Sequence, residues 1–361
     1  MVVQYGYHPV NLVHGHSASI GNYRVKELAM RIVALEEHFT VPSLVRRIDP
    51  DAIARHGFPP GFGSHLGKQL SDLGALRIAE MDEAGITVHA LSASGPGADL
   101  LDGAEGIGFA RDINDVLAKA VAAHPDRFAG FAHLPMRSPQ EAADELERSV
   151  RDLGFCGALI NGLTEGRFLD DPRFDPILAR AEQLDVPIYL HPNLPPQSVR
   201  DAYYGGLPGL TGFRLSTAAW GWHSEVAIHV LRLVLSGALD RHPRLKLIIG
   251  HMGEGLAAMM VRSDKILTTE APHLTRSVGK TILDQVSVTT SGLFTQPPLD
   301  VLLAVFGVDR VLFSIDYPYS SNRTGRDFLD TLKLPAADLE KFAHGNADRL
   351  LKLRRTRRNK I

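Results

Sequence analysis

Eight short runs rich in apolar and β-branched residues recur along the chain with helix-like stretches between them, and this alternation constrains the fold more than any other feature. The runs begin at Ile32 (IVALEEHF), Thr87 (TVHALSAS), Phe128 (FAGFAHLP), Cys156 (CGALING), Val186 (VPIYLHP), Leu245 (LKLIIGHMG), Val286 (VSVTTSG) and Val311 (VLFSIDYP). Segments such as Gly108 to Ala123 and Pro139 to Leu153 repeat apolar residues at three- and four-residue spacing, the period of a helix with one buried face. Strands that alternate with helices imply a parallel sheet, because each parallel pair needs a crossover that a helix supplies. Eight such units predict an α/β protein of the (β/α)8 TIM-barrel type rather than an open doubly wound sheet, since no Gly-rich dinucleotide fingerprint follows the first strand. The GAEGIG stretch at Gly103 to Gly108 follows the second strand and carries little phosphate-binding signal.

Two regions exceed a minimal barrel and distort it. Residues 1–30 read as an N-terminal extension, either an arm over a neighbouring subunit or a lead, ahead of a barrel spanning 31–353. The second is a long Gly- and Pro-rich insertion after the fifth strand, Pro192 to Gly221, carrying Tyr203, Tyr204 and Trp220. Long loops at the C-terminal ends of barrel strands are where substrate pockets are built. Residues 354–361 form a basic tail. Six basic residues lie between Lys352 and Lys360, and subtracting them from the net charge of −2 leaves −8 elsewhere, so a general nucleic-acid footprint is absent. A single cysteine, Cys156, excludes an internal disulfide and a thiolate cluster, so any metal must be held by nitrogen and oxygen. Neither a signal peptide nor an apolar run long enough to span a membrane is evident, and a cytoplasmic location is expected.

Polar residues fall repeatedly at the C-terminal ends of the predicted strands, where this fold places its chemistry. Glu36 and His38 are two apart on the first strand, so both side chains should face the barrel interior while Glu37 points the other way. His191 ends the fifth strand, His251 and Glu254 the sixth, and Asp316 the eighth. Each alone has an ordinary structural explanation, a hydrogen-bonded histidine or a turn-forming aspartate. Together they bring carboxylates and imidazoles to one side of the barrel mouth, a combination that is costly to bury unless it is paired or bound to a cation. Nitrogen and oxygen donors suit one divalent ion, Zn2+ or Mn2+, with Fe2+ or Mg2+ also compatible. His133 reads equally well as a group behind the ligands or as a structural residue. Asn161 is a weaker candidate for orienting substrate, and His223 and His229, on an apolar helical stretch, are left without a role.

These motifs are similar to those of the amidohydrolase-2 family and, within it, the branch of metal-dependent aromatic-acid decarboxylases acting on dihydroxybenzoates such as γ-resorcylate. The resemblance runs from about Arg31 to Leu353 and rests on ALEEHF, YLHPN, WGWHSE, LKLIIGHMGEGL, LFSIDYPY and AHGNADRLLKL. Glu-x-His on the first strand, rather than His-x-His, matches the benzoate decarboxylases. The resemblance implies Glu36, His38, His191 and Asp316 as metal ligands and His251 and Glu254 as a hydrogen-bonded catalytic pair. It also places Arg262 at a substrate-binding position. The implied activity is non-oxidative decarboxylation of a small aromatic carboxylic acid, with metal-assisted hydrolysis of a lactone or amide as the alternative. Trp- and Pro-rich loops favour a homodimer or homotetramer.

Overall fold

The computed structural model describes residues 30–59, 61 and 63–353, so the expected N-terminal extension, except for Met30, and the basic tail lie outside the described residues. The architecture belongs to the compact unit Arg31–Ile361. Eight strands follow one another in sheet order: β1 (Val33–Phe39), β2 (Val88–Ala93), β3 (Phe128–Ala132), β4 (Gly157–Asn161), β5 (Pro187–His191), β6 (Lys246–Ile249), β7 (Val286–Thr289) and β8 (Val311–Leu312). All neighbouring strands are parallel. A further parallel bridge between Leu35 and Ser314 joins β8 back to β1 and closes the barrel. The predicted strands therefore form, each beginning within a residue of its expected start, and the (β/α)8 expectation holds.

The principal helices are α1 (Ala75–Ala84), α2 (Gly103–Ala123), α3 (Pro139–Arg151), α4 (Asp175–Leu184), α5 (Gly221–Leu235), α6 (Leu256–Glu270), α7 (Val278–Gln285), α8 (Gln296–Phe306) and α9 (Asn322–Thr331). Local chemistry sets their ends. Proline stands in the first turn of α3, α4 and α8, where its missing N–H costs nothing. Ser277 and Ser321 accept backbone N–H bonds from Lys280 and Thr324 and so cap α7 and α9. The GAEGIG stretch forms the opening turns of α2. Among the described residues no helix is long and apolar enough to cross a membrane.

Inside the barrel, Val33, Leu35, Phe131, Leu159 and Ile248 form one buried cluster, the layered packing that makes this fold a solid core rather than a pore. Tyr189 belongs to that cluster and packs edge-to-face on Phe131, with ring centroids 5.9 Å apart. Its hydroxyl links the apolar core to the polar mouth. The insertion after β5 contains short helical turns, Gln197–Val199, Arg200–Tyr204 and Thr211–Ser216. Its aromatic residues differ from expectation: Tyr203 and Trp220 are 75% and 62% exposed, so in the single chain they face solvent rather than line a pocket.

Candidate metal centre and active site

The first strand carries Glu36, Glu37 and His38 in full burial, but not by regular alternation. Its register with β2 shifts between Ala34 and Glu37, and Glu36 takes the left-handed region at φ 63°. This bulge bends the strand at the barrel rim while leaving both Glu36 and His38 aimed at the mouth. Glu36 Oε2 accepts hydrogen bonds from the Tyr189 hydroxyl and the Ser291 hydroxyl. Those two donors fix the carboxylate so that Oε1 faces His191 Nε2 at 3.4 Å and His251 Nε2 at 3.8 Å. His38 Nδ1 lies 3.3 Å from Ser92 Oγ, and His38 Nε2 is 3.3 Å from Asp316 Oδ1. The rings of His38 and His191 meet edge-to-face at 4.9 Å.

These groups fit a cation. Donor atoms of Glu36, His38 and His191 all lie within 4.8 Å of one another. Glu36 Oε1 and His38 Nε2 are buried with no hydrogen-bond partner among the described residues, which is costly unless something else occupies them. Burial, opposed by the Glu36 charge, lowers His38 to about 4 and His191 to about 3, so both imidazoles are neutral and keep a lone pair to donate. Asp316 stands beside them in the left-handed region at φ 68°. Burial pushes its carboxyl up to about 7, with His251 opposing and Glu254 adding to the rise. Two imidazoles and two carboxylates suit one divalent ion of the Mn2+ or Zn2+ kind.

A second cluster adjoins the first. His251 Nδ1 donates to Glu254 Oε1 at 2.8 Å, as the sequence pairing anticipates. The sequence reading left His223 without a role, yet its Nδ1 donates to Glu254 Oε2 at 2.6 Å, and the His223 and His251 rings are 5.0 Å apart. Glu254 thus holds both histidines. Burial disfavours charge on His251, but Glu254 and Glu36 outweigh it and raise its pKa; His251 and His223 in turn hold Glu254 below the usual carboxylate range despite its burial. His251, Met252 and Glu254 all have positive φ, which turns the chain tightly after β6.

Other candidates fall outside this cluster. His133 Nε2 accepts the Ala98 N–H and His229 Nε2 the Leu169 N–H, both as buried structural acceptors. Asn161 ends β4 in register with His191. Arg262 lies exposed on α6 and makes no hydrogen bond or ion pair to a site residue among the described residues. Sequence reasoning missed Tyr189 and Ser291 as supports of Glu36. A tyrosine in an apolar strand reads as core, and only its hydroxyl reveals the second task.

Against known proteins, the amidohydrolase family model matches residues 62–353. A γ-resorcylate decarboxylase from a Rhizobium species is 40% identical over 336 residues, covering 89% of this chain and 98% of that protein. A solved 2,6-dihydroxybenzoate decarboxylase in complex with 2,6-dihydroxybenzoate superposes with a TM-score of 0.80 at 37% identity, covering 90% of this chain and 100% of the other. The dihydroxybenzoic acid decarboxylase of a Polaromonas species, solved with bound manganese and 2-nitroresorcinol, gives a TM-score of 0.81 at 36% identity over 90% and 98% of the two chains. Barrel, site geometry and these likenesses agree: the chain belongs to the amidohydrolase family.

Proposed function

We propose that the chain is a metal-dependent, non-oxidative decarboxylase of an ortho-hydroxybenzoate-type acid. The observation that carries this reading is the pair of buried, unpartnered ligand atoms, Glu36 Oε1 and His38 Nε2, beside His191 and Asp316. Glu36, His38, His191 and Asp316 would hold a divalent ion, which would supply Lewis-acid stabilisation to the oxygens of such a substrate. Of zinc and manganese we favour manganese, which the Polaromonas relative holds.

Asp316 acts as the acid. Its carboxyl delivers a proton to the ring carbon that bears the substrate carboxylate, which interrupts aromaticity. The C–C bond then breaks, its electron pair returns to the ring, CO2 leaves, and solvent restores the proton to Asp316. Net, one aromatic carboxylate and one proton give one phenol and one CO2. His251, held by Glu254 and braced by His223, orients the phenolic oxygen and balances its charge. Because each step is reversible, excess bicarbonate drives phenol carboxylation.

Exposed apolar residues in the insertion (Leu207, Leu210, Trp220) and on α6 (Met259, Val261, Ile266) support a homodimer or homotetramer. The free, buried Cys156 accords with a reducing cytoplasm. The hydrolytic alternative finds no support among the relatives above, all named decarboxylases. Incubating metal-analysed protein with a panel of hydroxybenzoates and lactones tests the reading. Release of phenol and CO2 is expected, and turnover of lactones alone would refute it.

A further inference from the structure

The barrel closes at its weakest seam, and that seam carries the proposed acid. Strand β8 has only two residues, so the regular ladder with β1 ends soon after the Leu35–Ser314 bridge. Beyond it a side chain takes over. Glu37, fully buried and outside the cluster of Glu36, His38 and His191, reaches across the seam to the chain that follows β8. Its Oε1 accepts the Ile315 N–H and its Oε2 accepts the Tyr317 N–H, each at 2.9 Å. These two amides lie immediately before and after Asp316, so one carboxylate straddles that residue. The next backbone bond, His38 N to Tyr317 O at 2.7 Å, resumes the ladder.

Arg77 braces the opposite side. Its guanidinium is fully buried, donates through Nη2 to His38 O at 2.7 Å and through Nε to Asp72 O at 2.9 Å, and lies over the Tyr317 ring at 4.7 Å. A single cation therefore touches the backbone of His38 and the neighbour of Asp316. Burying a carboxylate and a guanidinium is expensive, and apolar residues would close a barrel seam at lower cost. What two backbone-directed polar groups provide instead is a fixed spacing between His38 and Asp316, whose left-handed backbone would otherwise relax.

We infer that Glu37 is a positioning residue: straddling Asp316 and supported by Arg77, it sets the distance and angle between Asp316 and His38. The Glu36-Glu37-His38 triplet thus supplies two ligands and, between them, the clamp for a third group contributed by the far end of the chain. The inference rests on the role proposed above for Asp316.

Glu37→Gln keeps the side-chain shape but turns one acceptor into an NH2 facing a backbone N–H. The expected result is a kcat lowered about 10–100-fold, the range for residues that orient metal ligands. KM stays within about twofold, because substrate binding itself is untouched. Mn2+ affinity, followed through the electron-paramagnetic resonance of free Mn2+, falls about tenfold. Asp316→Gly, whose backbone suits the left-handed conformation, then provides the decisive background. There Glu37→Gln should change Mn2+ affinity less than about twofold, since the residue it acts through is gone. An equal loss of affinity in both backgrounds, or an unchanged kcat, overturns the inference. If Glu37→Gln does not fold, Arg77→Lys, which keeps the charge but loses the fork, should show the same kcat-without-KM pattern; a KM-dominated effect overturns it. Full turnover by Asp316→Asn would sink the reading of Asp316 as the acid, and the Mn2+ cycle would still decide the role of Glu37.

Discussion

Tyr189→Phe isolates the support of a proposed metal ligand from the packing of the core. The ring is fully buried against Phe131, and phenylalanine fills the same volume, so no cavity forms. Only the hydroxyl is lost. In the native site it donates to Glu36 Oε2 and lies 2.8 Å from Thr289 Oγ1 and 3.2 Å from Ser291 Oγ. Removing it leaves Ser291 as the one hydroxyl on Glu36 Oε2 among the described residues. Hydrogen bonds to charged groups contribute about 1.5–3 kcal/mol. If that energy orients Oε1 toward the cation, its loss corresponds to roughly a 10–100-fold drop in metal affinity, which matches the usual effect of disturbing a ligand's supporting partner. Titration of metal-free protein with Mn2+ measures this directly, while kcat at saturating Mn2+ should change little because Asp316 and His251 are undisturbed. Affinity within about twofold of wild type would refute the claim that Tyr189 aims Glu36.

Asp316→Asn should lower kcat by about 10²–10⁴-fold, the usual contribution of a general acid, with an unchanged circular dichroism spectrum; near-normal turnover removes it from that role. Gly250→Ala places a Cβ 2.7 Å from Glu36 Oε2 and 3.3 Å from both Ser291 Oγ and the Tyr189 hydroxyl, so Mn2+ binding should weaken by about tenfold or more, as calorimetry would show. His223→Asn breaks the 2.6 Å bond to Glu254 and should reduce kcat by roughly tenfold with the bound metal retained; equal loss of metal would point to a different role. Burial lowers His229 to about 4 from 6.5, so below pH 6.5 the unfolded chain takes up a proton that the folded one refuses. Stability from this group is therefore complete above pH 6.5 and declines as pH falls toward 4, by at most about 3 kcal/mol. His229→Gln, which keeps an acceptor for the Leu169 N–H, should flatten that part of the denaturation profile.

The barrel was legible because parallel strands buried on both faces read as uninterrupted apolar runs, and the residues that break those runs, Glu36, His38, His191, His251 and Asp316, mark the mouth. Residues whose second task depends on three-dimensional contact were not legible. Tyr189 has the composition of core, and His223 sits on a helix among apolar neighbours. Nothing in its local sequence announces that it meets Glu254, 31 residues away. Glu37 was placed correctly out of the ligand face but for an incomplete reason: alternation says where it does not point, and only the shortness of β8 shows what it must do instead. The exposure of Tyr203 and Trp220 follows from the insertion forming its own turns outside the barrel, which aromatic content alone does not predict.

Backbone strain concentrates where the proposed ligands stand. Among the described residues nine non-glycine positions have positive φ, and six of them, Glu36, His251, Met252, Glu254, Ser291 and Asp316, carry or immediately adjoin this site. Each such conformation costs about 1–3 kcal/mol, and glycine would remove most of that cost. Glycine, however, has no carboxylate, imidazole or hydroxyl to offer. The strain is the consequence of requiring polar side chains at bends where the strands leave the barrel, and it persists because side-chain bonds such as those of Glu37 to Ile315 and Tyr317 hold the bends closed. Replacing Glu254 by glycine should therefore relax the turn after β6 while releasing both His223 and His251. The variant would then show a loss of activity out of proportion to its small change in melting temperature.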